Sequence, residues 1–226
     1  MELETTKVKA IITGATGMVG EGVLHECLQN PQVTEVLVIN RKPDGITHPK
    51  LTEIIHQDFM DLSGIKDQLA GYNACFFCLG VSSVGMTQEE YYRLTHTLTL
   101  NLAETVSSVN KDMTFCYVSG AGTDGSEQGR AMWARVKGKT ENDLMKLPFM
   151  RVFAFRPGFI KSIKGLRHTG KYYKYVDWLY PFLRTVFPDT ACTLQEIGLA
   201  MIHSVTRGYI KPVLEVRDIA VLAKDN

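Results

Sequence analysis

The 226-residue chain has no run of 18 apolar residues, no internal repeat, no low-complexity linker and no excess of either charge. A membrane-spanning helix needs about 20 mostly apolar residues, so none is expected. With 25 Lys and Arg against 24 Asp and Glu, the balance excludes a strongly basic nucleic-acid binder, and 45% hydrophobic residues exclude a disordered chain. The cysteines Cys27, Cys75, Cys78, Cys116 and Cys192 are odd in number, in a chain long enough to bury a core without staples. Reduced thiols are expected. Met1 to Ala10 is charged and lacks an apolar h-region, so no signal peptide and a cytoplasmic location are expected. The six histidines form no H-x-x-x-H or H-E-x-x-H pattern, so no metal site is expected. Cys75-Phe-Phe-Cys78 has C-x-x-C spacing, but positions i and i+3 of a strand point to opposite faces, and the pair reads as buried strand cysteines.

What the chain does contain is alternation. Short β-branched or aromatic runs stand at Val8 to Thr13, Val36 to Asn40, Thr52 to His56, Ala74 to Leu79, Thr114 to Ser119 and Val152 to Arg156. Helical patterns lie between them at Val19 to Gln29, from the capping box Thr87-Gln-Glu-Glu90 through Val109, and at Ala131 to Leu147. This is the pattern of a parallel sheet covered on both faces. Past residue 156 the alternation fails, although a helix at Thr193 to Val205 and a late strand at Pro212 to Val216 are expected. The fold expected is α/β, a Rossmann-type doubly wound parallel sheet over residues 1–156, with a small C-terminal region, 157–226, completing the same domain.

Directly after the first strand comes Thr13-Gly14-Ala-Thr-Gly17-Met-Val-Gly20, running into a helix. In that context the first glycine permits a tight turn, the second lets backbone approach a pyrophosphate, and the third allows close packing of helix on strand. The helix N-terminus offers free N–H groups and the positive end of its dipole. The second strand ends in Asn40-Arg41-Lys42, where a dinucleotide fold meets the adenosine ribose. An acid there would bind a ribose 2′-hydroxyl, whereas Arg41 can pair with a 2′-phosphate, so NADP is favoured over NAD. Asp58, in Gln57-Asp58-Phe59, reads either as an adenine acceptor or as a turn former.

These motifs, with Ser119 at a strand end and Lys137 on the following helix, resemble the short-chain dehydrogenase/reductase superfamily. The chain is most similar to its atypical, NAD(P)-binding epimerase-like branch, which contains the Tat-interacting metastasis suppressor. The resemblance implies that Gly14, Thr16, Gly17, Met18 and Val19 cradle the pyrophosphate, that Arg41 meets the 2′-phosphate, and that Asp58 and Phe59 flank the adenine. It implies further that Leu79 and Gly80 border the adenosine side, and that Pro157, Gly158 and Ile160 approach the nicotinamide. The superfamily's chemistry uses a serine, a tyrosine and a lysine four residues after the tyrosine. The tyrosine moves a proton at the carbonyl oxygen, the lysine tunes it and holds the ribose, and the serine binds the oxyanion. Ser119 and Lys137 match this pattern, but Trp133 occupies the tyrosine position. An indole N–H donates a hydrogen bond and cannot relay a proton.

Two readings stay open. In the first, the chain is an NADP(H)-binding oxidoreductase acting on a small carbonyl or hydroxyl substrate, with Ser119 and Lys137 as catalytic residues and Trp133 shaping the pocket. In the second, it is a catalytically weak or inactive NADPH-binding regulator or scaffold. Tyr117, Tyr91, Tyr92, His96 and His168 are further candidates for a proton donor, although Tyr117 reads as buried. A last feature is the segment from Tyr172 to Pro188, with seven of the chain's 21 aromatics, inside a stretch, Arg156 to Arg184, of net charge +6. It reads as a roof over the substrate pocket, as packing, or as a peripheral membrane contact through residues 161–188. Nucleic acid is not needed to explain it, and the chain is expected to be a monomer or a homodimer.

Overall fold

The six residues of the first strand, VKAIIT, alternate their side chains between two faces, and both faces are buried from Ala10 to Thr13. That strand therefore sits inside a covered sheet. In the computed structural model, which describes residues 6–163, 165–167 and 180–224, the order of elements is as follows. Strand β1 (Val8–Thr13) leads through helix α1 (Met18–Gln29) to β2 (Val33–Asn40) and β3 (Leu51–Ile55). A 3₁₀ helix (Ser63–Leu69), β4 (Ala74–Phe77), and a helix in two parts follow, α2 (Gln88–Tyr92) and α3 (Leu98–Val109), joined by a π-helical turn over Arg93–Thr97. Then come β5 (Thr114–Val118), α4 (Met132–Leu144), β6 (Arg151–Arg156), β7 (Phe159–Lys161), α5 (Tyr180–Val186), β8 (Ala191–Thr193), α6 (Leu194–Thr206), β9 (Val213–Glu215) and α7 (Val216–Leu222).

Seven strands form one sheet in the order β3-β2-β1-β4-β5-β6-β9, and every neighbouring pair is parallel. The reversal of direction between β1 and β4 creates the crevice at the carboxyl ends of the strands where ligands of such sheets bind. The late strand joins the sheet edge beside β6, so the C-terminal region extends the main sheet. β7 and β8, which the sequence reading did not anticipate, pair with each other in a separate two-stranded ribbon.

Each face has its own core. Ala10, Ile12, Val36, Val38, Phe76 and Phe155 pack under α1, α6 and α7, while Ile11, Leu37, Ile39, Phe77, Phe115 and Tyr117 pack under the 3₁₀ helix and α3. The alternation of neighbours between the two clusters is the period of two expected of a strand. Both anticipated capping boxes are formed: Thr87 with Glu90 opens α2, and Thr193 with Glu196 opens α6. No helix among the described residues is long and apolar enough to cross a membrane. Lys164 and residues 168–179, and with them His168 and much of the basic aromatic segment, lie outside the described residues. In the described remainder, α5 exposes Phe182 and Val186, Phe187 beyond it is also exposed, and Arg184 pairs with Glu196 at 2.8 Å.

Candidate cofactor-binding site

The glycine loop has the geometry its spacing requires. Gly14 adopts φ +74°, and a Cβ there would stand 2.8 Å from the Cys78 carbonyl group and the Leu79 nitrogen. A Cβ on Gly20 would stand 2.1 Å from the Gly14 oxygen, so the first turn of α1 lies against the loop that precedes it. Gly17 donates its N–H to the Gly14 carbonyl at 2.9 Å and is the N-cap of α1, with no side-chain cap. The first amides of α1, those of Met18 and Val19, thus face outward from a helix whose dipole favours an anion.

In front of this turn lies a cavity of about 530 Å³ whose lining includes Gly14, Thr16, Arg41, Lys42, Phe59 and Leu79. A second cavity of about 250 Å³ shares Arg41, Phe59 and Leu79 and adds Asp58, Gly80 and Arg93. Gly14 and Thr16 of the expected pyrophosphate set and Arg41, Asp58, Phe59, Leu79 and Gly80 of the adenosine set therefore line adjoining cavities, whereas Gly17, Met18 and Val19 are not among the lining residues. Asp58 is also a turn former, because its Oδ1 accepts the Met60 N–H at 2.9 Å. Asn40, beneath Arg41, is buried and donates to Glu53 at 2.8 Å, which keeps the Glu53 carboxylate occupied. Arg93, which the sequence pattern does not single out, lines the second cavity from the first position of the π turn, and π turns recur at functional sites. Arg167 was also missed. Its N–H bonds Glu21 at 2.6 Å and its guanidinium bonds the Asp44 carbonyl at 2.9 Å, which ties the chain beyond β7 to α1 and to the loop after β2.

At the other end, Trp133, Lys137 and Glu141 follow one another at single turns along one face of α4. The Trp133 ring lies against Gly122, with Cη2 3.3 Å from where a Cβ would be. Lys137 is half-buried and its Nζ donates to the Ser119 backbone carbonyl. Burial pulls the Lys137 ammonium below the ordinary lysine value, and Glu141 opposes that pull. Ser119 is 2% exposed, and its hydroxyl donates to Glu141 Oε1 at 2.5 Å, with the Phe155 carbonyl oxygen 3.2 Å away. Glu141 also receives Arg156 through Nε at 3.0 Å and Nη2 at 2.5 Å, and Arg156 Nη1 reaches Glu215 at 3.1 Å. The sequence motifs do not single out Glu141; the signal that could have found it is its place one turn after Lys137, taken with the arginine of Arg156-Pro157-Gly158.

The Pro157 carbonyl accepts the Ala121 N–H at 2.8 Å, so the loops after β5 and β6 meet. Gly158 is pressed against Thr190, whose oxygen a Cβ would approach to 2.3 Å, and Ile160 is buried on β7. The alternative proton donors among the described residues are buried or engaged elsewhere. Tyr117 is buried, and desolvation pushes its phenol far above the ordinary value. Tyr91 is buried too. Tyr92 stacks on His96, and His96 bonds Asp143 at 2.8 Å in a separate groove between the π turn, α3 and the end of α4.

Strand order, uncapped glycine turn and convergent cationic cavity together define an NAD(P)-binding Rossmann fold of epimerase and dehydrogenase type. A model of the NAD dependent epimerase/dehydratase family matches residues 10–141, more than half of the chain, which belongs to that family. Among curated relatives, protein fmp52, mitochondrial, of Emericella nidulans is 28% identical over 159 residues, 66% of this chain and 65% of that protein. Protein FMP52, mitochondrial, of Saccharomyces cerevisiae is 27% identical over 154 residues, 67% of this chain and 65% of that protein. The chain thus covers just under two thirds of the length of these relatives. Among solved structures, Helicobacter pylori ADP-L-glycero-D-manno-heptose-6-epimerase superposes with TM-score 0.64 at 15% identity, over 98% of this chain and 83% of that one. Bordetella bronchiseptica WbmG in complex with NAD superposes with TM-score 0.66 at 14% identity, over 98% of this chain and 79% of that one. These likenesses are of fold.

The relatives also correct one expectation. They are named as mitochondrial proteins, which overturns the cytoplasmic assignment. The physical reason is that the missing apolar h-region speaks only against secretion, whereas transit peptides are amphipathic and arginine-rich.

Proposed function

We propose that this protein binds NADP(H) and acts as an oxidoreductase on a small carbonyl or hydroxyl compound. The observation that carries the proposal is the lining of the larger cavity. Among the described residues it holds Arg41 and Lys42 beside the glycine turn, and no carboxylate. An acid there would suit a ribose 2′-hydroxyl; two cations suit a 2′-phosphate. The site fits a dinucleotide on its own chemistry, since free helix amides, paired cations and the apolar walls of Phe59 and Leu79 match pyrophosphate, phosphate and adenine in turn.

When bound, the dinucleotide supplies or accepts a hydride. The backbone from Thr16 to Val19 holds the pyrophosphate, Arg41 the 2′-phosphate, and Lys137 the nicotinamide ribose. Pro157, Gly158 and Ile160 border the nicotinamide. Trp133 directs an N–H without ionising, so it can orient a carbonyl oxygen but supplies no proton. The Ser119 hydroxyl reaches a substrate only by leaving Glu141, and its backbone carbonyl meanwhile anchors Lys137. Titration of the protein's fluorescence with NADPH and with NADH tests the proposal: tighter binding of NADPH is expected, and failure of both to bind would overturn it.

One pair of observations favours a second reading. Trp133 lacks a transferable proton and the Ser119 hydroxyl is engaged, so the protein is then a dinucleotide-dependent regulator with little turnover. Tight NADPH binding without turnover of an aldehyde, ketone and quinone panel, and pull-downs that change with NADPH, would select it.

A further inference from the structure

Lys137 and Ser119 leave one buried carboxylate unexplained. Glu141 is 2% exposed, yet it lies beneath the strand ends and takes three bonds: one from the Ser119 hydroxyl and two from Arg156. Burying a charge is costly unless it is paired and hydrogen-bonded. A carboxylate kept in such a place with that many partners fixes the groups around it.

We propose that Glu141 is a positioning residue for Lys137, holding the end of β5 through Ser119 and the end of β6 through Arg156, so that the Ser119 carbonyl meets the Lys137 ammonium. The geometry is a closed circuit. Lys137 and Glu141 are one turn apart on α4; the first grips Ser119 by its carbonyl and the second by its hydroxyl. Arg156 closes the circuit from the neighbouring strand, and its other end rests on Glu215 at the start of α7. A rotation of α4 or a slip of β5 would break bonds on both sides of Ser119 at once.

The circuit is electrostatic as well as steric. Burial favours the neutral amine of Lys137, and the Glu141 charge favours the ammonium. Other titratable groups at this node are Arg156 on β6, Glu215 on β9 and Tyr117 on β5, whose phenol burial keeps protonated. The inference rests on the dinucleotide reading only for what Lys137 is held to bind.

Its test needs no cofactor. In protein labelled with ¹³C at the lysine ε-carbons, the titration midpoint of Lys137 is followed by NMR, the signal being assigned with Lys137→Ala. Glu141→Gln should lower the midpoint by about one unit or more, because an opposing charge within reach is lost. Glu141→Asp keeps the charge but draws it back by one methylene, and should lie between. Glu215→Gln removes only the exposed partner of Arg156 and should leave the midpoint in place. A midpoint unchanged in folded Glu141→Gln would overturn the inference. So would a fall in Glu215→Gln as large as that in Glu141→Gln, since total charge rather than position would then be responsible. Should Glu141→Gln fail to fold, the Glu141→Asp midpoint decides, and an unchanged value overturns. Failure of NADPH to bind, with the expected shifts present, would instead strike only the cofactor reading.

Discussion

Lys137 and Glu141, one helical turn apart on α4, hold Ser119 from its two polar sides, the ammonium on the carbonyl oxygen and the carboxylate on the hydroxyl. The relationship makes the serine part of the frame of the cleft. It leaves Trp133, one turn earlier, as the group on that face which is free of such bonds to the strand end.

Trp133→Tyr restores a phenol four residues before Lys137. If the frame is otherwise complete, NADPH-dependent carbonyl reduction should rise by about 10²-fold or more, the usual worth of a positioned general acid. Trp133→Phe should not rise. Equal activity in the two variants, measured by NADPH absorbance, would show that the missing phenol is not what limits turnover.

Arg41→Ala should weaken NADPH by about tenfold, the scale of one lost charged hydrogen bond. NADH, without the 2′-phosphate, should be nearly unaffected. Equal losses for both dinucleotides in a fluorescence titration would remove Arg41 from the phosphate role.

Gly20→Ala places a methyl group 2.1 Å from the Gly14 oxygen. Backbone must move, and overpacking of this kind costs on the order of 3 kcal/mol. Gly64→Ala, where a Cβ meets nothing within 4 Å, should be neutral within about 0.5 kcal/mol. Urea denaturation of the two variants gives the comparison.

Asp143 offers a pH test. Burial disfavours its charge, but bonds from Lys139, Lys146 and His96 hold the carboxyl well below the usual carboxylate range. A depressed folded-state value means that the stabilisation is complete above the unfolded value, about pH 4, and is lost as the pH falls below it. Asp143→Asn should therefore be less stable than wild type at neutral pH, and the gap should close as the solution is acidified from about pH 4 downward. A gap that stays constant would contradict the ion-pair account.

Much of the framework was legible along the chain because its signals are local. The six strand runs, the Thr87 and Thr193 caps and the glycine loop depend on periodicity and on neighbours within a few residues. Even the late strand could be read from its composition, and β9 pairs with β6. The helix from Thr87 to Val109 was read as continuous, but it contains the π turn that carries Arg93 to the adenosine side. One extra residue in a turn leaves no periodic mark that a window of residues can resolve. The ribbon of β7 and β8 was missed for a related reason, since strands of three residues are too short to show a period.

By itself the sequence determined the turn at Gly14, the alternation that buries both faces of the sheet, and the cations that follow β2. Each of these is a property of side-chain type and spacing. Only the tertiary structure decided where Glu141, Ser119, Arg156 and Arg167 find their partners, because those partners stand 15 to 146 residues away along the chain. A buried polar group must be satisfied, and burial removes water as the substitute. Which distant group satisfies it is fixed only when strand ends and helix are brought together, and there the cleft acquires its frame.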